Sequence, residues 1–279
     1  MYTILEKKRL TESVTWMTIL APEITRHAMP GQFVMLRVER DGERIPMTIA
    51  ASNQDQGTIT IIFQVVGTTT RLLNELNIGD ELIDFVGPLG KRTEINHLNK
   101  VLVVGGGVGC AIAYPIVKAL HDQHKIVDSV IGFKTKDAVF IDDLFEKYSN
   151  QSLLYTNDGT KGLKGFVTEG VKKLINDDIY DEVIVIGPLL MMKAVSELTR
   201  EKHIKTIVSL NPIMIDGTGM CGGCRVLVND EIKFACVDGP EFDGHLVHFD
   251  ELIRRNLMYH EHERKTYDAL CKLLEEKER

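Results

Sequence analysis

The chain has 279 residues, a length typical of about two domains. Its net charge of -7 at pH 7 excludes a nucleic-acid-binding protein, because binding to phosphates needs a basic surface. The N-terminus is charged from Glu6 onward, so we expect no secretory leader, and the apolar run 101–117 is too short and too rich in glycine for membrane insertion. Five partly clustered cysteines are typical of a reducing compartment, so we expect a cytoplasmic protein.

Residues 1–96 read as short apolar or alternating runs separated by turns, which predicts a small antiparallel β-barrel. Turn signals such as Pro30-Gly31 lie between the runs, and one helix is expected near Thr69–Leu76. The predicted strands are 14–20, 32–38, 44–50, 58–66 and 81–86.

From residue 97 the pattern changes to β-branched strands that alternate with helices, which predicts a parallel sheet covered on both faces. The predicted strands are 101–105, 126–132, 152–156 and 182–187, and the predicted helices are 111–121, 139–147, 166–176 and 190–202. We assign residues 97–209 to this α/β domain. Residues 210–250 form a loop-rich subdomain with the clustered cysteines, and residues 251–279 form a charged helical tail.

A glycine-rich segment carries three of the cysteines and one aspartate at informative spacing. Cys221, Cys224 and Cys236 follow the plant-type ferredoxin pattern C-x4-C-x2-C with a distant C, and Asp216 occupies the position of the first cysteine. The glycines around them let the backbone wrap around inorganic sulfide. The segment therefore predicts a [2Fe–2S] cluster whose ligands are Asp216, Cys221, Cys224 and Cys236.

Other interpretations of this segment remain open. The cysteines could bind structural zinc with His245 or Asp216 as the fourth ligand, or form a dithiol redox pair. Asp216 could also do no more than begin the turn Asp-Gly-Thr-Gly. The remaining cysteines, Cys110 and Cys271, lie in apolar helical patterns and are expected to be core or surface thiols.

Two barrel segments resemble motifs of ferredoxin–NADP reductase-like flavoproteins. Residues 44–48, Arg-Ile-Pro-Met-Thr, resemble the R-x-x-S/T motif, whose arginine pairs with the FAD pyrophosphate and whose hydroxyl lies near the reactive flavin nitrogen. The resemblance implies that Arg44, Pro46 and Met47 bind FAD and makes Thr48 the catalytic candidate. At the start of the predicted helix, first-turn amides would stabilise phosphate charge, so we expect FAD contacts from Gly67, Thr68, Thr69 and Thr70.

The nicotinamide motifs lie at the ends of predicted α/β strands. Residues 103–109 end a strand and enter a helix, the context in which a glycine-rich turn binds pyrophosphate, although Cys110 replaces the last glycine of G-x-G-x-x-G. We expect nucleotide contacts from Gly105, Gly107, Val108 and Gly109. Later strand ends match positions where these reductases contact nicotinamide and ribose, namely Thr156, Asn157, Asp158, Gly187, Pro188 and Met191.

The choice between NAD and NADP stays open. Lys134 and Lys136 after the second strand favour a 2′-phosphate, whereas Asp137 favours a free ribose hydroxyl. Solvated surface charge explains all three equally well.

The order of barrel, nicotinamide domain and C-terminal cluster is similar to that of the electron-transfer subunits of B-type dihydroorotate dehydrogenase, which use four cysteines. With aspartate in the first position, the chain more closely resembles the small subunits of NADH-dependent reduced ferredoxin:NADP⁺ oxidoreductases, also described as sulfide dehydrogenases. The resemblance implies FAD, a [2Fe–2S] cluster, NAD(H) as substrate and a larger flavin and iron–sulfur subunit that performs electron bifurcation. Single electrons would pass between this partner, the cluster and FAD, and a hydride between FAD and NAD⁺. Two alternatives stay open. The first is an electron-transfer subunit of dihydroorotate dehydrogenase B or of another NAD-linked complex, and the second is a non-catalytic zinc-stabilised nucleotide sensor.

Overall fold

The computed structural model describes residues 2–259, 261 and 263–268. The N-terminal part is an antiparallel barrel made of two sheets around one apolar core, as the sequence predicts. Its elements are β1 Tyr2–Arg9, β2 Val14–Leu20, α1 Pro22–Thr25, β3 Phe33–Arg37, β4 Ile45–Thr48, β5 Ala51–Asn53, β6 Thr58–Gln64, α2 Thr68–Glu75, β7 Glu81–Leu82 and β8 Asp84–Leu89.

The barrel sheets have the orders β5–β6–β2–β1–β7 and β4–β3–β8. Side chains from both sheets meet inside, where Met17, Ile61 and Phe85 are almost completely buried. Burial alternates along β2, as the two-residue period of a strand requires. The sequence did not indicate β1, because the charged run from Glu6 to Arg9 hides the buried Ile4.

The second part is an α/β domain with a mainly parallel sheet, which confirms the predicted fold class. Its elements are β9 Lys100–Gly106, α3 Gly109–Asp122, β10 Ile126–Phe133, α4 Asp142–Tyr148, β11 Gln151–Thr156, β12 Leu163–Lys164, α5 Val167–Asp177, β13 Glu182–Ile186, α6 Leu189–Glu201 and β14 Thr206–Ser209. Every residue of β9 after Lys100 is buried, because helices cover both faces of the sheet.

The order of this sheet determines where a ligand can lie. It runs β12–β11–β10–β9–β13–β14–β17, and its last strand, β17 Glu241–Asp243, pairs antiparallel with β14. The chain proceeds from β9 to one side through β10 and then returns to the other side at β13. The carboxyl ends of β9 and β13 therefore form the crevice that open α/β sheets use for ligands.

The loop-rich region contains the hairpin that the apolar runs 225–228 and 232–235 predict on either side of Asn229-Asp230, and one strand that the sequence did not predict. A hairpin of β15 Arg225–Val228 and β16 Glu231–Phe234 turns at Asn229 and Asp230, both with positive φ. β17 joins the main sheet. The sequence did not predict this strand, because its single buried side chain, Phe242, lies between two charged residues.

The predicted helical tail begins as α7 Phe249–Asn256, and the described part of 263–268 is also helical. Leu252 of α7 is buried, whereas Leu257 is exposed. Cys271 and the remainder of the predicted tail lie outside the described residues. None of the helices that the structure describes has the length and apolar character needed to cross a membrane.

Candidate functional site

A cleft of about 770 Å³ lies between the barrel and the α/β domain. Its walls come from Arg44–Thr48 of the barrel, from the start of α3 near Val108, and from residues 209–215, which begin with the last residue of β14. Tyr259 and Glu263 of the C-terminal segment also line it. The volume is typical of sites that hold a cofactor.

Arg44 lies at the cleft, and its guanidinium group is held in place by the carboxylate of Asp84. Nε and Nη2 donate to the Asp84 carboxylate at 3.2 and 2.9 Å, and Arg37 pairs with the same carboxylate at 2.8 Å. Chiefly through the Arg44 hydrogen bond, the pKa of Asp84 is lowered. Two guanidinium groups share one carboxylate, so these three side chains together carry a net positive charge, which suits a pyrophosphate.

Four of the other predicted FAD residues line the same space, with one departure from the motif. Pro46, Met47, Thr48 and Thr70 line the cleft. Thr48 lies four positions after Arg44 and Met47 lies three, so the hydroxyl position of R-x-x-S/T is occupied by methionine.

The start of α2 is organised by a threonine. The hydroxyl of Thr70 accepts hydrogen bonds from the N–H groups of Val66 and Gly67, both at 3.0 Å. A Cβ at Gly67 would meet no atom within 4 Å, so the backbone is open there. The remaining first-turn amides, together with the helix dipole, can stabilise a phosphate.

The glycine-rich turn after β9 packs closely against the β13–α6 turn. A Cβ at Gly109 would lie 2.4 Å from the carbonyl oxygen of Ile186, and one at Gly106 would lie 2.4 Å from Sδ of Met191. Gly107 has a φ of +55° and open space beside it. The turn that Gly105–Gly109 forms therefore lies at the crevice between β9 and β13, beside Gly187, and leaves backbone accessible to a ligand.

The predicted residues after β11 form their own compact turn. Thr156 is fully buried, and its hydroxyl donates to the Lys161 carbonyl at 2.7 Å. Asp158 accepts a hydrogen bond from the Thr160 hydroxyl at 2.7 Å, which is the main reason why the pKa of this carboxyl is lowered. These two side chains shape the turn, and Asn157 between them is exposed.

The four candidate iron ligands form two pairs. Sγ of Cys224 and Sγ of Cys236 are 3.2 Å apart and buried. In the other pair, the backbone N–H of Cys221 donates to Oδ2 of Asp216 at 3.1 Å. A [2Fe–2S] cluster takes two protein ligands at each iron, so a two-by-two grouping suits it.

The electrostatics of these groups also fit iron. Burial, and then contact with Cys224, raise the pKa of the Cys236 thiol well above its usual range. Such a thiol ionises beside a coordinated cation. In contrast, the hydrogen bond from the Thr218 hydroxyl is the largest of the effects that lower the pKa of Asp216 to about 2, so the carboxylate is ionised at neutral pH.

Asp216 also performs the turn-forming role considered as an alternative. Oδ1 accepts from the backbone N–H of Thr218 at 3.0 Å and from its hydroxyl. Each carboxylate oxygen has a second lone pair, so turn formation and metal ligation are compatible.

A mononuclear zinc site fits the arrangement less well. Within the described part of the chain, no three His, Cys, Asp or Glu side chains converge on one ion position. Structural zinc needs four ligands around a single ion. His245 lies instead beside α6, with Nε2 3.1 Å from the Thr199 hydroxyl.

The cluster loop packs on the barrel next to the cleft. Gly217 has a φ of +82°, and a Cβ there would lie 2.6 Å from Cγ of Met35 on β3. Residues 209–215 line the cleft and lead directly into Asp216. The candidate cluster and the candidate flavin cleft are therefore adjacent.

Comparisons with known proteins agree with this arrangement. Residues 2–93 match the family model "oxidoreductase FAD-binding domain", and residues 211–248 match the "iron–sulfur cluster binding domain of dihydroorotate dehydrogenase B". A Thermotoga maritima protein named as a homolog of the dihydroorotate dehydrogenase B (NAD(+)) electron transfer subunit is 44% identical, over 99% of this chain and 97% of its own length. The Fusobacterium nucleatum dihydroorotate dehydrogenase B (NAD(+)) electron transfer subunit is 31% identical, over 86% of this chain and 95% of its own length.

The chain belongs to the dihydroorotate dehydrogenase B electron transfer subunit family. It is an oxidoreductase subunit with an FAD-binding domain and an iron–sulfur cluster-binding domain. Among solved structures, a chain of the NADH-dependent reduced ferredoxin-NADP oxidoreductase, reported for flavin-based electron bifurcation, superposes with a TM-score of 0.92 and 43% identity. The match covers 97% of this chain and 98% of that one. The ferredoxin reductase of carbazole 1,9a-dioxygenase, at 21% identity and a TM-score of 0.64 over 73% of this chain and 65% of its own, shares the fold.

Some site residues of this family member escaped sequence reasoning. The segment 209–215 lines the cleft. The sequence did not predict this, because β14, which leads into the segment, was not recognised as a strand. Asp84 reaches Arg44 through the pairing of β8 and β4 with β3, which no local motif encodes.

Proposed function

We propose that this chain is the small electron-transfer subunit of a flavin-based electron-bifurcating, NADH-dependent reduced ferredoxin:NADP⁺ oxidoreductase. The observation that carries the proposal is the 43% identity, over nearly the whole of both chains, to a chain of that enzyme. Asp216 at the position of the first thiolate supports it, since ligand identity is a means of tuning such clusters.

The proposed binding residues follow from the contacts above. Arg44, fixed by Asp84, would hold the FAD pyrophosphate, and the start of α2 would stabilise its charge. Pro46, Met47 and Thr48 would line the flavin side of the cleft.

The nicotinamide nucleotide would lie at the crevice between β9 and β13, against Gly107 and Val108. Residues 97–209 would form the nucleotide-binding domain. Of the predicted positions after β11, the exposed Asn157 is the one best placed to reach a ligand.

Asp216, Cys221, Cys224 and Cys236 would hold the cluster. When bound, the cluster supplies single-electron transfer and FAD supplies the conversion between single electrons and a hydride. The protein's own part is to orient nicotinamide at the cleft and to keep the cluster loop against it.

A docking surface for a larger flavin and iron–sulfur subunit is proposed around the cluster loop. Met220 is 90% exposed, and Ile215 and Val237 are also exposed. Met220 precedes the exposed Cys221 in the chain, and Ile215 and Val237 pack beside glycines of the same loop. An apolar patch of this kind beside a redox group suits a protein partner.

The second candidate is the electron-transfer subunit of dihydroorotate dehydrogenase B or of another NAD-linked complex. The family match over residues 211–248 and the Fusobacterium nucleatum relative favour it. The carboxylate at position 216 favours the first candidate, because the dihydroorotate-type subunit is expected to use four cysteines.

An anaerobic purification with the copurifying subunit separates the two. If the proposal is right, the complex reduces NADP⁺ only when NADH and reduced ferredoxin are both present. Oxidation of dihydroorotate with NAD⁺, without any requirement for ferredoxin, would contradict it and support the second candidate. A colourless preparation without flavin or cluster absorption would contradict both.

A further inference from the structure

One guanidinium group binds the backbone on both sides of Cys224. Arg255, on α7, donates from Nη2 to the carbonyl of Gly223 at 3.2 Å and from Nη1 to the carbonyl of Arg225. These two residues are the immediate neighbours of Cys224. The two donors of the arginine fork thus fix the peptide groups that position a candidate iron ligand.

The helix that carries Arg255 has a rigid support. Phe249 and Leu252 are buried in the same apolar cluster as Cys224. At the start of α7, Asp250 accepts a hydrogen bond from Lys193 of α6 at 2.8 Å. Because α7 is fixed to both the α/β domain and the cluster core, it presents Arg255 at a defined position.

The charge of Arg255 is partly shielded from water. Its side chain is 19% exposed, and its nearest carboxylate, Glu251, is 3.7 Å away. The preceding residue, Arg254, carries the same charge but is exposed. Solvent screens a half-buried charge less than an exposed one, so Arg255 acts more strongly on a neighbouring redox group.

We propose that Arg255 is a positioning residue for the cluster, which holds the loop around Cys224 and raises the reduction potential. Reduction adds a negative charge to the cluster, and a nearby cation stabilises that charge. The inference rests on the proposed function, because it requires the cluster to be bound. It gives α7 a role that the sequence alone leaves open.

Three variants of the full chain test this proposal after anaerobic purification with its cofactors: Arg255→Gln, Arg255→Lys and the matched control Arg254→Gln. The cluster midpoint potential is measured by a redox titration followed by electron paramagnetic resonance. Cluster loss is followed by visible absorption in the presence of an iron chelator.

We expect Arg255→Gln to lower the midpoint potential and to lose the cluster about tenfold faster, a factor that corresponds to roughly one charge-assisted hydrogen bond. Arg255→Lys keeps the charge, so its potential stays near that of the wild type. Its cluster is lost faster, because an ammonium group lacks the planar fork that spans both carbonyls. Arg254→Gln changes neither quantity.

Equal potentials and loss rates in Arg255→Gln and Arg254→Gln would overturn the proposal. If Arg255→Gln does not fold, Arg255→Lys decides, since a wild-type rate of cluster loss in that variant overturns the positioning role. A wild-type protein without a [2Fe–2S] spectrum would instead contradict the proposed function.

Discussion

Glu241→Gln is predicted to stabilise the protein at alkaline pH and to have little effect at acidic pH. Glu241 of β17 lies where the sheet meets the barrel, and its Oε1 accepts a hydrogen bond from the Thr93 hydroxyl at 2.6 Å. Burial raises the pKa of Glu241 to about 7, against the hydrogen bond from Thr93, which acts in the opposite direction. Glutamine keeps the shape of the side chain and an oxygen that can accept from Thr93.

The sign follows from proton linkage. The folded protein favours the protonated carboxyl, so this contribution to stability is complete below the unfolded pKa of about 4.5 and is lost as the pH rises to about 7. The difference corresponds to at most about 3 kcal/mol, and the partial exposure of Glu241 reduces it to about 1–2 kcal/mol. For a chain of this length, that is several degrees in the unfolding midpoint.

Thermal unfolding of the anaerobic protein, followed by circular dichroism between pH 5 and pH 8, measures the effect. The variant should unfold at a higher temperature than the wild type at pH 8, and the gap should close toward pH 5. Glu39→Gln, which removes the same charge from an exposed position, should show no such trend. A gap that does not depend on pH, or a less stable variant at pH 8, would refute the reasoning.

Three further predictions test the candidate sites. In Gly109→Ala the new Cβ would clash with the backbone of Ile186, whereas in Gly106→Ala it would meet the flexible Met191 side chain and, less closely, Pro188. NADH titration should show at least about tenfold weaker binding in the first variant and a smaller loss in the second, and equal affinities would count against the crevice. Arg44→Ala should weaken retention of FAD about tenfold or more but leave riboflavin binding unchanged, and ultrafiltration measures both. Equal losses of FAD and riboflavin would exclude a pyrophosphate contact. Iron analysis should find the cluster lost in Cys236→Ala and kept in Cys110→Ala, because the thiol of Cys110 is buried in the core around α3. Loss of iron in both variants would point to general misfolding.

The fold could be predicted from sequence because its main signals are periodic. β2, β6, β9 and β13 are apolar or alternate cleanly, and their burial follows that pattern. β1 and β17 were missed because charged residues occupy positions whose backbone still completes a sheet. Their pairing is decided by tertiary contacts, which outweigh local preference.

In the candidate site, too, features that depend on a local sequence pattern could be predicted, and features that depend on tertiary contacts could not. The glycine and cysteine spacings predicted the cluster loop and the turn after β9, since both depend on residues close together in the chain. The Asp84 contact to Arg44 joins residues 40 positions apart, and the Arg255 contact to Gly223 joins residues 32 positions apart. Such partners follow only from the way in which strands and helices pack.

Asp216→Cys tests the central claim most directly, namely that a carboxylate and three thiolates hold a [2Fe–2S] cluster. The electron paramagnetic resonance spectrum and the midpoint potential of the reduced cluster are compared with those of the wild type. Asp55→Cys, which adds a thiol to an exposed turn, serves as the control. We predict altered g-values and a lower potential in Asp216→Cys alone, because a thiolate donates more electron density to iron than a carboxylate oxygen does. An unchanged spectrum and potential in Asp216→Cys would contradict the claim that Asp216 is a ligand.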